Sequence, residues 1–200
     1  MGTKKISELT GASTPLTGAE LMEVSQLTGG VYGSFKASSS DVAYAGAKYG
    51  SFYDTTDQTG STSAATAVKF GTNDINGHGI SVVTNGSALT RITYASAGVY
   101  MVAPNLQFKN TDTANHSATI WLRKNGTNVD NSSTVINVPK ATDGGLTFFQ
   151  IVFYMNIAAN DYVEVMWLPD NTAVTIDYTA AGAIAPAVPS AIVISERIGV

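Results

Sequence analysis

The stretch ITYASAGVYMVAPNLQFKNTDTANHSATIWLRKNGTNV, residues 92–129, decides the fold. It holds two strand-like segments, Val99–Phe108 and Ser117–Lys124, joined by the polar loop Asn110 to Asn115. On the first, Tyr100, Val102, Leu106 and Phe108 share one face, while Asn105, Gln107 and Lys109 point the other way. On the second, Ala118, Ile120 and Leu122 oppose Thr119, Trp121 and Arg123. A period of two over this length predicts strands with one face on a core. Asn125-Gly126 follows directly. Both residues tolerate the positive φ of a type I′ turn, so a hairpin is expected there.

The same residues carry a resemblance. Ala97-Gly98-Val99-Tyr100, then Leu122-Arg123-Lys124-Asn125-Gly126, resemble the jelly roll of the complement q-chain heads and tumour necrosis factor. Those strands hold a Gly-x-Tyr step and a Leu-x-Lys-Asn-Gly run. The match is closer still to the versions that end many tailed-phage virion proteins. It extends over residues 50 to 200 and implies an all-β jelly-roll sandwich that assembles as a homotrimer.

Outward from this stretch, composition narrows the classes. Hydrophobic residues make up 44% of the 200 and charged residues 13%, against about 25% charged in an average protein. A surface so poor in charge suits sheets that bury against other subunits. The net charge of −4 and the lack of any Lys/Arg run argue against a nucleic-acid partner. There is no cysteine, which removes disulfides, thiolate metal sites and Cys nucleophiles. Lys4-Lys5 has no apolar run behind it, so no secretory signal is expected. No 18-residue apolar window predicts membrane insertion.

Three segments are expected. Residues 1–47 form an N-terminal docking segment: a strand over Glu20–Gln26, a turn at Thr28-Gly29-Gly30, a returning strand over Val31–Ala37, and a short helical turn after Ser38. Two strands and one turn bury no core alone, so Ile6, Leu9, Leu21, Val24, Val31 and Phe35 are the candidate docking residues. The run Lys4-Lys5-Ile6-Ser7-Glu8-Leu9-Thr10 and the later hairpin are similar to N-terminal modules of phage fibre and appendage proteins. Residues 48–66, rich in Ser, Thr and Gly, read as a connector, and residues 67–200 as the head. Tyr49 to Tyr53 offers an alternative start of the first sheet.

Leu146 to Ile157 is the most apolar segment and reads as one strand. Thr147, Phe149, Ile151, Phe153, Met155 and Ile157 lie on one face; Phe148, Val152 and Tyr154 lie on the other. A strand apolar on both faces must be covered on both. Phe148, Val152 and Tyr154 are therefore the candidate trimer interface.

Chemistry-bearing constellations are sparse. His78 and His116 sit in predicted turns, without the spacing of a metal site. Asp54 with Asp57, or Asp74 with Asn76, could offer loop oxygens to calcium, but Asx turns account for them. Glu20 and Glu23 suit solubility or docking. No G-x-S-x-G elbow occurs. The N-x-S/T sequons at Asn85, Asn115, Asn125 and Asn131 follow from composition. Tyr94, Tyr100, Trp121 and Tyr178 could stack on sugars or fill core and interface. No catalytic residue, metal ligand or cofactor is expected. The reading is a homotrimeric structural protein of a phage virion, a short fibre or capsid decoration-type appendage. It would be made in the host bacterial cytoplasm, docking on capsid, neck or tail proteins. The alternative is a receptor-binding head that takes a host glycan on the loops Asn110–Asn115 and Asn125–Ser133. A polysaccharide hydrolase would need a converging carboxylate pair.

Overall fold

A computed structural model describes residues 21–28, 31–38 and 47–199. The chain divides into two units, residues 1–47 and residues 48–200. In the first, β1 (Leu21–Thr28) and β2 (Val31–Ser38) form an antiparallel hairpin. Its register sets Val24 opposite Phe35 and Thr28 opposite Val31. Candidate docking residues Ile6 and Leu9, and the helical turn expected after Ser38, lie outside the described residues.

The second unit begins with β3 (Tyr49–Asp54), β4 (Gln58–Thr59), β5 (Thr66–Ala67), β6 (Thr72–His78), β7 (Ile80–Asn85) and β8 (Ala88–Tyr94). It continues with β9 (Gly98–Asn110), β10 (His116–Lys124), β11 (Thr127–Asn128), β12 (Thr134–Val138), β13 (Leu146–Gln150) and β14 (Phe153–Ile157). It ends with β15 (Tyr162–Pro169), β16 (Val174–Ile176) and β17 (Ala191–Gly199). These make two sheets. One runs β7-β8-β15-β10, with β11 and β12 along the far side of β10 and β5 beside β15. The other runs β6-β3-β17-β9, with β13 and β14 along the far side of β9 and β16 and β4 completing it. All pairings are antiparallel. The chain crosses from sheet to sheet between β8 and β9, β9 and β10, and β14 and β15, among others, whereas the longest connection, β16 to β17, returns to the same sheet. This is a jelly-roll sandwich.

The alternation seen in the sequence places the core. Tyr100, Val102, Leu106 and Phe108 from β9 meet Ile120, Leu122, Val163, Val165 and Trp167 from the other sheet, all buried. Trp167 is fully buried, its ring edge-on to Phe108 at 5.8 Å between centroids. Residues opposed to these along the strands, such as Trp121 and Gln107, point away from the core.

Asn125 (φ 49) and Gly126 (φ 83) turn β10 into β11, with Lys124 paired to Thr127. Two positive φ values in a two-residue loop are the type I′ geometry.

Two expectations need correction. Residues 48–66 are not a bare connector. β3 lies within them, pairs with β17 and β6, and buries Phe52 completely. Further on, a Cβ at Gly60 would lie 2.9 Å from the Trp167 ring. The small residue is there because the chain crosses that indole. Val68 and Phe70 are buried but outside any strand.

The second correction is that Leu146–Ile157 is two strands. The cause is Pro104. Amides of β9 point alternately to either neighbour: Gln107 N–H donates to Ser190 on the β17 side, and Asn110 N–H to Gly145 on the β13 side. Position 104 therefore faces the β13–β14 side. The register is continuous across the gap, with Gln150 opposite Asn105 and Phe153 opposite Val102. It places Ile151 opposite Pro104, which has no N–H to give. The ladder opens there and closes again at Phe153.

Candidate interaction surface

The eight-stranded sheet turns one face to the core and the other outward. In an antiparallel ladder, residues directly opposite share a face. One outward row therefore runs Tyr154, Met101, Glu196, Tyr49 and His78, from β14 to β6. The next runs from Val152, continuing the register, through Ala103, Ile194 and Ser51 to Ile75. Phe148 stands opposite Gln107 at the other end of the edge.

The three candidate interface residues are all exposed: Phe148 by 57%, Val152 by 48% and Tyr154 by 59%. Ile75, Leu146, Ile194 and Ile198 are exposed with them. Their neighbours Phe149, Met155 and Ile157 are buried on the core side. The strand pair is thus apolar on both faces, and one face has nothing of its own second unit over it.

The outward face has relief. β13 and β14 form one edge, where the large side chains stand. Toward the opposite edge lies a hollow lined by Tyr49, Ser51, Ile75, Ile194 and Glu196. Ser51 is the small residue between two isoleucines. On the rim, the rings of Tyr49 and His78 stack at 4.2 Å with 15° between planes.

The outward face of the seven-stranded sheet is different. Glu164 on β15 points outward yet is fully buried, because its neighbours fold over it. Arg123 Nε and Nη2 donate to Glu164 Oε2 at 3.0 and 2.8 Å. Thr90 Oγ1 and Asn85 Nδ2 donate to Oε1 at 3.1 and 3.2 Å. Arg91 lies over the Tyr162 ring, 4.4 Å from its centroid, with Nε 3.8 Å from Oε1. The pairing Arg123 to Glu164 across β10 and β15 brings these charges together. Sequence reading did not find this cluster. Its signal is Glu164 alone in an apolar strand, between Val163 and Val165.

The histidines are not in open turns. His78 ends β6 and stacks on Tyr49. His116 opens β10 between two carboxylates, Nε2 being 2.9 Å from Asp112 and Nδ1 3.2 Å from Asp170. This ties the β9–β10 loop to the end of β15. The hydrogen bond with His116, reinforced by the Thr113 N–H, holds the Asp112 carboxyl below its usual range. Of the carboxylates considered for calcium, Asp54 accepts from the N–H groups of Thr56 and Gly71, Asp57 from that of Tyr178, and Asp74 from the Ser51 hydroxyl at 3.3 Å. Among the described residues no three His, Asp or Glu side chains converge on a metal-sized point. Tyr94 and Tyr100 are buried core rings in an edge-to-face pair at 4.6 Å. Burial pushes the Tyr94 phenol well up, against the hydrogen bond with Ser195.

No protein-family model matches the chain, and no curated protein matches it in sequence. Among solved structures, two crystal structures of murine APRIL, at pH 8.5 and pH 8.0, are similar at TM-scores of 0.47 and 0.49. Each is 8% identical and covers 76% of this chain and 99% of the APRIL chain.

Proposed function

We propose that residues 48–200 are the head of a homotrimer, and that the protein is a structural part of a bacteriophage virion, a short fibre or capsid decoration-type appendage. The observation that carries self-association is the uncovered apolar face of the eight-stranded sheet. Continuous apolar surface of this kind marks an interaction site. Val152 and Tyr154 stand exposed at one edge, and the Ser51 hollow lies toward the other, so the edge of one copy has a hollow to seat in on the next. An edge seated in the next copy's hollow is a head-to-tail contact, which closes into a ring when the rotation between copies divides the full circle and otherwise runs on as a filament. Three is the number that the complement-head and tumour-necrosis-factor resemblance implies. Each large apolar side chain so buried contributes about 1.5–3 kcal/mol, repeated at every seam.

The virion setting rests on the sequence resemblance of both parts of the chain and on the surface poor in charge. The hairpin β1–β2 supports a docking role for residues 1–47. Two strands need further surface, and strand edges can pair with a partner's backbone. Leu21, Val24, Val31 and Phe35 are its docking residues.

The absence of cysteine from the natural sequence allows a direct test. Tyr154→Cys combined with Ser51→Cys places one thiol on the protruding edge and one in the hollow. Mild oxidation is expected to give a ladder ending at trimer only in the double variant. Absence of intermolecular products would refute this seam. For the virion role, an antibody to residues 48–200 is expected to decorate phage particles in electron micrographs. Failure to label any particle from a producing strain would remove it.

A further inference from the structure

The outward face of the seven-stranded sheet carries a second site, distant in the sandwich from the apolar face. Between β10, the end of β15 and the loop after β11 lies a shallow hollow of about 410 Å³. Ligand sites run from about 300 to 1,000 Å³. Trp121, Thr119 and Leu168 form its floor, and Asp130, Asn131 and Ser133 its rim. Thr119 and Leu168 are cross-strand partners, and Trp121 is next on that face of β10.

The site is built, in three respects. Trp121 is half-buried, and its indole N–H donates to Asn128 Oδ1 at 2.8 Å, which fixes the ring plane. The rim loop is clamped at both backbone atoms of one residue. Val129 N–H donates to the Leu122 carbonyl at 2.9 Å, and Leu122 N–H donates to Ser132 Oγ at 3.0 Å. Ser132 is buried, and its hydroxyl also bonds the Val129 carbonyl at 2.7 Å. Within this clamp Asn131 is held in the left-handed region, at φ 59. The third respect is that the polar side chains displayed by the clamp, Asp130, Asn131 and Ser133, are exposed and make no hydrogen bond among the described residues. A rigid loop holding unpaired donors and acceptors beside a fixed indole is preorganised for a ligand.

The chemistry of the hollow selects the ligand. An aromatic plane matches the C–H face of a pyranose ring, and the carboxylate, amide and hydroxyl match its equatorial hydroxyl groups. Asp130 is the only charged residue lining the hollow, so acidic sugars are repelled. We infer that the hollow at Trp121, between Leu168 and the clamped Asp130–Ser133 loop, binds a neutral hexose or N-acetylhexosamine unit. The site lies within one copy of the chain and does not depend on the trimer. In a trimer, three copies would act together and raise avidity without new contacts.

The test titrates the intact protein with methyl glycosides of glucose, galactose, mannose, N-acetylglucosamine and N-acetylgalactosamine, with sialic acid and glucuronate beside them. The readouts are tryptophan fluorescence and calorimetry. Trp167 is fully buried, so a sugar-dependent change reports Trp121. The expected result is saturable binding of at least one neutral sugar and none of the acidic ones. Trp121→Ala should abolish it with an unchanged melting temperature. Trp121→Phe, which keeps a ring, and Asn131→Ala should each weaken it by about tenfold. No saturable binding of any neutral sugar, preference for an acidic one, or equal binding by Trp121→Ala would each overturn the inference. Light scattering on the same samples separates this outcome from any failure of the trimer.

Discussion

The two sheets share one core and treat their outward faces in opposite ways. On the seven-stranded sheet, the outward charge of Glu164 is closed over by Arg123, Thr90 and Asn85, and Trp121 gives its N–H to Asn128. The charge and the indole of that face are satisfied within the sandwich, while Val135 is 67% exposed on it and the Asp130–Ser133 loop beside it displays exposed polar side chains. On the eight-stranded sheet, Phe148, Val152, Tyr154 and Ile194 stand exposed, with Glu196 the one acidic residue among their rows. A charge that finds its partners within one copy asks nothing of a second copy. A face that leaves large apolar side chains bare is unfinished until another surface meets it. The contrast separates what holds one copy together from what would hold copies to each other.

The largest effect should come from the core that both sheets share. Trp167→Ala is expected to cost about 3–5 kcal/mol, much of a total of about 5–15 kcal/mol, read as a large fall in melting temperature. An unchanged melting temperature would contradict its complete burial. Next comes the Glu164 cluster. Glu164→Ala removes the acceptor of a buried ion pair, which costs about 3–5 kcal/mol when the partner charge is stranded. The Arg123 guanidinium keeps some contact with water, so the low end applies. A shift of about 2–4 °C per kcal/mol follows for a domain of this size, with the oligomeric state unchanged. If Glu164→Ala altered the assembly instead, the division of labour between the faces would fail.

The smallest effect is electrostatic and lies in the loops. Asp112 is held low by His116, and Asp161 by the Asn125 amide and the Ala158 N–H. A depressed carboxylate contributes stability above its unfolded pKa, near 4, and loses it as pH falls through the lower folded value. Melting temperatures should therefore drop below about pH 4. Asp112→Asn should make that drop shallower. An equally steep drop in that variant would assign the acid sensitivity elsewhere.

Most of the sandwich was legible because strands write a period of two. Val99–Phe108 and Ser117–Lys124 declared their core faces, and Asn125-Gly126 declared its turn. The failures were non-local. Residues 48–66 look like a linker by composition, yet Gly60 is small because it crosses Trp167, more than a hundred positions away. The break at Ile151 is written in Pro104, on the neighbouring strand. The Glu164 cluster is written in Arg91 and Arg123 on β8 and β10. The exposure of Phe148, Val152 and Tyr154 followed from their own strand, because alternation assigns a face without naming a neighbour.

The most direct test of the uncovered face is the solution mass of the full chain and of one seam variant. Multi-angle light scattering on the parent protein at micromolar concentration should give three times the 20.8 kDa chain mass. Val152→Asp, which sets like charges in an apolar seam, should give a folded monomer with the parent's circular dichroism spectrum. A monomeric parent, or a Val152→Asp protein that still runs as a trimer, would contradict the claim that this face is where copies of the chain meet.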